Sequence, residues 1–236
     1  MTNEATKTEN QKKIKSKSRV WSVIGAVGWL VLLTLLVLKF FVFQQVTVVG
    51  QSMEPNYYTG QLLLVNQIDK TYNRGQVVAV YEDTAVAKNA DYWTRFKTRF
   101  FLKRIIALPG ESVELVGDKV IIYNSQYPNG TVLNEDYISD SVKNKEENTN
   151  YYFPKTKVAE GNYFVMGDNR VNSLDSREKG TFPDYAIFGQ ETIRFWPFAD
   201  LAMFNLPKYN YQPIPDDLQT QINNLRELQV TDNRSF

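Results

Sequence analysis

The run Val46-Thr47-Val48-Val49-Gly50-Gln51-Ser52-Met53-Glu54-Pro55 decides how this chain is read. Its first four residues are β-branched, the composition of a strand, and the stretch after them ends that strand in a turn carrying a serine. Just upstream, Val20 to Leu38 holds no charged residue, and the apolar run resumes after Lys39 through Phe40, Phe41, Val42 and Phe43. That length suffices to cross a bilayer as one helix. The serine therefore stands at the end of a strand that begins where a membrane anchor stops.

A serine hydroxyl is inert until something removes its proton. The chain has no histidine and no cysteine, which excludes a Ser-His-Asp triad, a cysteine nucleophile, most zinc sites and any disulfide framework. The remaining base is a lysine, and Phe100-Phe101-Leu102-Lys103-Arg104-Ile105-Ile106 offers one inside an apolar strand pattern. Alternate strand residues share a face, so Lys103 lies with Phe101, Ile105 and Ala107, while Arg104 points the other way with Leu102 and Ile106. An exposed lysine titrates near 10.4, but burial can bring it down by roughly 3, at a cost of about 4 kcal/mol. A neutral Lys103 amine can accept the Ser52 proton.

The 236 residues suit one good-sized domain with appendages, and a net charge of +1 with no concentrated basic patch gives no reason to expect nucleic acid. Residues 1–19 are polar and basic and read as a disordered cytoplasmic tail. Their lysines place the N-terminal side in the cytoplasm and everything after the anchor, 20–43, outside, with Lys39 close enough to the end to snorkel. A cleaved signal peptide is the competing reading; the run is too long for one and no small-x-small cleavage pattern follows.

Beyond the anchor, residues 44–206 read as a mainly β domain. Strands are expected at Gln45–Val49, Gln61–Asn66, Gln76–Tyr81, Phe100–Ala107, Glu114–Val116, Lys119–Tyr123, Asn162–Met166 and Thr192–Trp196, with Gly117-Asp118 as a two-residue hairpin turn. Frequent turns and scarce helical periodicity indicate an antiparallel, barrel-like sheet fold. Residues 134–150 are polar and read as an exposed loop. From 207 a Tyr- and Pro-containing linker leads to a short amphipathic helix with Leu218, Ile222, Leu225 and Leu228 at helical spacing.

Four stretches occur in order: Gly50-Gln51-Ser52-Met53-Glu54-Pro55, Arg74-Gly75-Gln76-Val77-Val78, Lys103-Arg104-Ile105-Ile106-Ala107-Leu108-Pro109-Gly110-Glu111, and Met166-Gly167-Asp168-Asn169-Arg170-Val171-Asn172-Ser173-Leu174-Asp175-Ser176-Arg177. Together they resemble the boxes of bacterial type I signal peptidases in their single-span Gram-positive form. These are membrane serine proteases that remove signal peptides from exported proteins. The resemblance implies Ser52 as nucleophile, Lys103 as general base, and Ser173 as the serine that orients the lysine amine. It makes Arg104, Asp168, Arg170, Asp175 and Arg177 supporting residues that hold the loop beside the dyad through ion pairs. Gly50 stands where some members carry a serine that donates to the oxyanion, leaving the Ser52 amide for that task, and Val171 stands where the family often has aspartate.

The resemblance further implies an extended substrate bound as an added strand, with small side chains at the first and third positions before the scissile bond, of Ala-x-Ala type. Gln51, Met53, Val77, Val78 and Val80 are the candidate lining residues. No metal or organic cofactor is implied. The implied partners are secretory preproteins with signal peptides, the lipid bilayer and the secretion translocon. Tyr92, Trp93 and Phe96, or Trp196, Phe198 and Phe204, are candidates to dip into the membrane interface. The expectation is a single-pass cell-membrane endopeptidase with an extracellular catalytic domain. Its rivals are a non-cutting assembly factor for pili, a peptidase dedicated to a narrow set of exported substrates, and a self-cleaving repressor-type regulator. That last protein would be soluble and carry a DNA-binding module.

Overall fold

The computed structural model describes residues 2–38, 42–89, 91, 94, 99–143 and 151–232. Expectations for Lys39, Phe40 and Phe41, for Tyr92, Trp93 and Phe96, and for residues 144–150 lie outside those described. The chain divides into two units, residues 1–44 and 45–236.

The first unit is built on helix α1 (Thr2–Val37). Its stretch Val20–Val37 has a mean hydropathy of 2.3 over 18 residues, enough by length and composition to cross a membrane. Contrary to the expected disordered tail, the helix already begins at Thr2. Residues 2–19 contain neither glycine nor proline, and their Lys, Glu, Gln and Ala are good helix formers. An established apolar helix can therefore propagate back through them, because extension avoids the cost of a new nucleus.

The second unit is mainly antiparallel β. Its larger sheet runs in the order β1 (Phe43–Thr47), β2 (Leu62–Asn66), β11 (Ile187–Trp196), β3 (Val77–Tyr81), β4 (Phe100–Ala107), β9 (Asn162–Met166), β10 (Phe182–Pro183), with β12 (Ala202–Met203) off this path, pairing with Ile193 and Arg194 of β11. The smaller sheet has the order β13 (Tyr211–Gln212), β7 (Thr131–Leu133), β6 (Lys119–Tyr123), β5 (Ser112–Val116), β8 (Tyr152–Lys157). The Gly117 turn joins β5 to β6 with Val116 opposite Lys119 and a glycine φ of 59°.

Strand β4 lies between β3 and β9, so its backbone is paired on both sides, and its side chains from Leu102 to Ala107 are buried. Val78, Val80, Ile105, Val165 and Ile187 form one core cluster, and Val48, Met53, Leu63, Val77 and Leu102 form another. Strand β8 escaped sequence reading because Pro154 and two lysines break its apolar pattern; it is a sheet edge, where proline is tolerated. Strands β7 and β13 are too short to show a period.

Helix α2 (Thr84–Asn89) and the single turn α3 (Asp140–Lys143) were also unforeseen. The region expected to be an exposed loop from 134 buries Glu135, Ile138 and Val142. Helix α4 (Ser176–Lys179) is capped by Asp175 through a capping box with Glu178. The C-terminal helix α5 (Asp216–Asp232) buries Leu218 and Ile222 against Val116, Ile121, Tyr123 and Val132, with Leu225 partly covered and Leu228 exposed. Burying the Ile222 side chain is worth about 2 kcal/mol. Arg226 adds a fork onto the buried Glu114 carboxylate, with Nε donating at 3.0 Å.

Candidate active site

Strand β4 brings Lys103 to Ser52. The lysine pairs across the sheet with Val78, is 2% exposed, and its Nζ is hydrogen-bonded to Ser52 Oγ at 2.7 Å. Burial draws the amine down from 10.5 to about 8, against the opposing pull of the Asp175 and Asp168 carboxylates. Holding it there costs about 3 kcal/mol. Among the described residues no carboxylate forms an ion pair with Lys103, and its Nζ stands 5.2 Å from the Phe101 ring on its own strand face. At pH 7 a value of about 8 leaves about a tenth of the amine neutral, far more than an exposed lysine offers, and within hydrogen-bond reach of a hydroxyl that is what a general base requires.

The turn carrying Ser52 is held from two sides. Gly50 takes a φ of 89°, a conformation that L side chains resist, and Thr59 Oγ1 accepts from its N–H at 3.0 Å. Tyr57 N donates to Met53 O at 3.0 Å, closing the turn, and Met53 is buried beneath it. From the other side, Asn169 N donates to Ser52 O at 3.0 Å, Asn169 Nδ2 to Gln51 O at 3.1 Å and Asn172 Nδ2 to Gln51 Oε1 at 3.2 Å. Gly167 makes this approach possible, because a Cβ there would lie 2.3 Å from both Ser52 O and Ser173 Oγ. The Ser52 N–H has no acceptor among the described residues and is free to donate to an incoming carbonyl oxygen.

Behind this loop lies a buried ionic brace. Arg104 is 4% exposed and forks onto Asp168, Nε to Oδ1 at 2.8 Å and Nη2 to Oδ2 at 2.6 Å, while Nη1 donates to Gly75 O at 2.8 Å. Burial works to lower the Arg104 guanidinium, but Asp168 outweighs it and the group stays firmly charged. Tyr137 lies flat against it, with Arg104 Cζ 4.1 Å from the ring centroid. Asn56 Nδ2 donates to Asp168 Oδ2 at 2.8 Å and to Tyr137 O at 2.9 Å, tying the end of the Ser52 turn to the same pair.

The two Asp-x-Arg units pair differently. Asp175 holds Arg177 at 2.8 Å, whereas Arg170 reaches across to Glu135, Nη1 donating to Oε2 at 2.7 Å, and sends Nε to Gly167 O at 3.2 Å. Burial works to raise the Asp175 carboxyl, but Arg177, the Gly167 N–H and the Ser173 hydroxyl together hold it below the ordinary aspartate range. Ser173 Oγ donates to Asp175 Oδ2 at 2.7 Å, which spends its proton on the carboxylate and leaves only its lone pairs toward other groups.

Ser52 and Lys103 meet directly, and Arg104, Asp168, Arg170, Asp175 and Arg177 brace the loop behind them; among the described residues Ser173 bonds to Asp175 and not to Lys103, the amine it was expected to orient. Of the candidate lining residues, Gln51 is exposed, while Met53, Val77, Val78 and Val80 are buried in the core. Strand β3 is paired on both sides, so it has no free edge to offer an added strand. Sequence reading missed Asn56, Glu135 and Tyr137 as supports, since each acts through a partner far along the chain, and Thr59, whose partner Gly50 lies across the turn. Gly167, Asn169 and Asn172 sat within the Met166–Arg177 stretch, where adjacency to the Asp-x-Arg units was the available signal. Among the described residues, no group of His, Cys, Asp or Glu is placed to hold a metal ion.

The family model described as signal peptidase, peptidase S26, matches residues 20–196, which makes the chain a peptidase. Within that class it belongs to the S26 signal peptidase family. It is 32% identical over 208 residues to Signal peptidase I of Bacillus amyloliquefaciens, covering 84% of this chain and 97% of that protein. It is 31% identical over 208 residues to Signal peptidase I T of Bacillus subtilis, with the same coverage of 84% and 97%. Signal peptidase IB of Staphylococcus aureus is 31% identical over 217 residues, covering 85% of this chain and 97% of that one. The crystal structure of a signal peptidase I from Enterococcus faecalis is 30% identical, with a TM-score of 0.37, covering 51% of this chain and 96% of that chain.

Proposed function

We propose that this protein is a membrane-anchored serine endopeptidase that removes signal peptides from secreted preproteins, with Ser52 as nucleophile and Lys103 as general base. The observation that supports it is the 2.7 Å contact between a hydroxyl and a buried amine drawn down to about 8. Ser52 Oγ attacks the scissile carbonyl carbon as its proton passes to Lys103 Nζ. The carbonyl oxygen becomes an anion, which accepts from the Ser52 N–H. As the C–N bond breaks, the Lys103 ammonium returns the proton to the leaving amine, and the signal peptide remains as an ester on Ser52. Lys103 then deprotonates a water, whose attack on the ester frees the acid and restores the serine.

The substrate is bound extended beside the Gly50–Ser52 segment, with small residues of Ala-x-Ala type before the cut. The α1 anchor and a membrane-embedded signal peptide share one surface, which raises their effective concentration without any new contact. The N-terminus is cytoplasmic and the β domain lies outside. Trp196 and Phe198 are exposed, as contact with the lipid interface requires, whereas Phe204 packs against the core.

The test is cleavage of a preprotein carrying an Ala-x-Ala site by the detergent-solubilised wild type, Ser52→Ala and Lys103→Met. We expect cutting after the second alanine and a loss of at least about 10⁴-fold in both variants. A wild type that binds the preprotein without cutting replaces this reading with that of an assembly factor, and a Lys103→Met enzyme at full rate removes the lysine from the mechanism.

A further inference from the structure

The chain beyond residue 196 lies outside the matched family region and carries no part of the chemistry above. Its far end is firmly anchored. Tyr211 pairs with Leu133 in the smaller sheet and stacks on Tyr127 at 5.2 Å, Ile222 is fully buried, and Arg226 forks onto Glu114. Between Phe204 and this anchor the chain crosses the start of β3. There Pro207 and Tyr209 close over Gly75 so tightly that a Cβ would meet Pro207 Cγ at 2.5 Å and the Tyr209 hydroxyl oxygen at 2.8 Å. The Gly75 carbonyl is the one that accepts from Arg104 Nη1. Tyr209 also meets Tyr137 edge-on, centroids 6.2 Å apart, with its hydroxyl donating to the Tyr137 hydroxyl at 3.3 Å, and Tyr137 is the ring that covers Arg104.

Tyr209 thus contacts both Gly75 and Tyr137, two neighbours that hold the Arg104 guanidinium. Through Asp168, Asn56 and Asn169, that guanidinium sits behind the Ser52 turn. Neither Tyr209 nor Pro207 has a hydrogen bond or ring contact with Ser52 or Lys103 among the described residues.

We infer that residues 207–232 form a positioning strap, in which Tyr209, anchored by β13 and α5, wedges the Arg104–Asp168 pair into register behind Ser52. The inference rests on Ser52 as the nucleophile. The strap touches no reacting atom; its effect is on the rate of the chemical step and not on substrate binding.

The test uses the full chain in detergent, with kcat and KM measured separately on a preprotein substrate and the folded fraction followed by circular dichroism. Tyr209→Ala, still folded, is expected to lose about tenfold in kcat, the scale of a sub-ångström misplacement, with KM within about twofold. Tyr209→Phe, which keeps the ring edge on Tyr137 but loses the hydroxyl over Gly75, is expected to fall between Tyr209→Ala and the wild type. Ile222→Ala, which loosens the anchor from a distance, is expected to lower kcat in the same sense and serves as the deciding variant if Tyr209→Ala does not fold. Wild-type kcat in the folded alanine variants overturns the strap, as does a change in KM alone. A wild type that does not cleave overturns the peptidase reading instead, so the two failures are distinguishable.

Discussion

The two faces of β4 carry adjacent cations that share burial and meet opposite outcomes. Lys103 is 2% exposed and Arg104 4%, and both are stripped of water. Among the described residues no carboxylate forms an ion pair with the lysine, and burial draws it down to about 8. The arginine has a two-point partner in Asp168 and stays charged. Desolvation alone makes a base, while desolvation with a fitted counter-ion makes a strut. The residue types match those outcomes, because an ammonium gives up its proton readily when buried and a guanidinium does not.

Arg104→Met breaks the strut side and is expected to have the largest effect on stability, since it leaves the Asp168 carboxylate buried without its cation. Such losses run to about 3–5 kcal/mol, read from urea midpoints, and the double variant Arg104→Met/Asp168→Leu should regain most of it. A single variant as stable as wild type would erase the distinction between the two faces.

Lys103→Met tests the other side with the opposite sign. The folded protein depresses this group from 10.5 to about 8, so its stabilising contribution exists only above the unfolded value and is lost as pH falls through the folded one. The methionine variant should therefore be the more stable protein at pH 7, by an amount on the order of 3 kcal/mol, with the gain vanishing toward the unfolded lysine value. Equal midpoints at neutral and alkaline pH would mean that folding does not depress the amine.

The smallest effect is on the pH profile. The kcat/KM of the wild type should fall as pH drops through about 8, following protonation of Lys103 in the free enzyme. The Asp175 carboxylate pushes that amine up, so in Asp175→Asn the acid limb should move to lower pH even as the overall rate declines. A limb that stays in place would separate the two groups electrically.

Much of this site was legible along the chain, and for local reasons. Alternation in Phe100–Ala107 by itself puts Lys103 and Arg104 on opposite faces. The lack of histidine and cysteine left few groups able to activate Ser52, and the four ordered stretches then supplied the pair. Glu135 and Tyr137 were illegible because a polar stretch looks solvated until its partners are known. Arg170, 35 residues away, neutralises Glu135, and the Arg104 guanidinium makes a face for Tyr137. Strand β7 and the turn α3 were hidden for the same reason, being stabilised by what they pack on and not by their own period.

The sequence alone determined the membrane-length apolar helix and the antiparallel character of the domain, which depend on composition and on a period of two, while Ser52 and Lys103 were marked out by the resemblance that the four ordered stretches carry. Tertiary structure decided the 2.7 Å meeting of Ser52 with Lys103, the choice of Glu135 over a neighbouring aspartate for Arg170, and the course of the C-terminal segment over Gly75. Each of these joins residues far apart in the chain, and its energy comes from desolvation and fit, which no local pattern records.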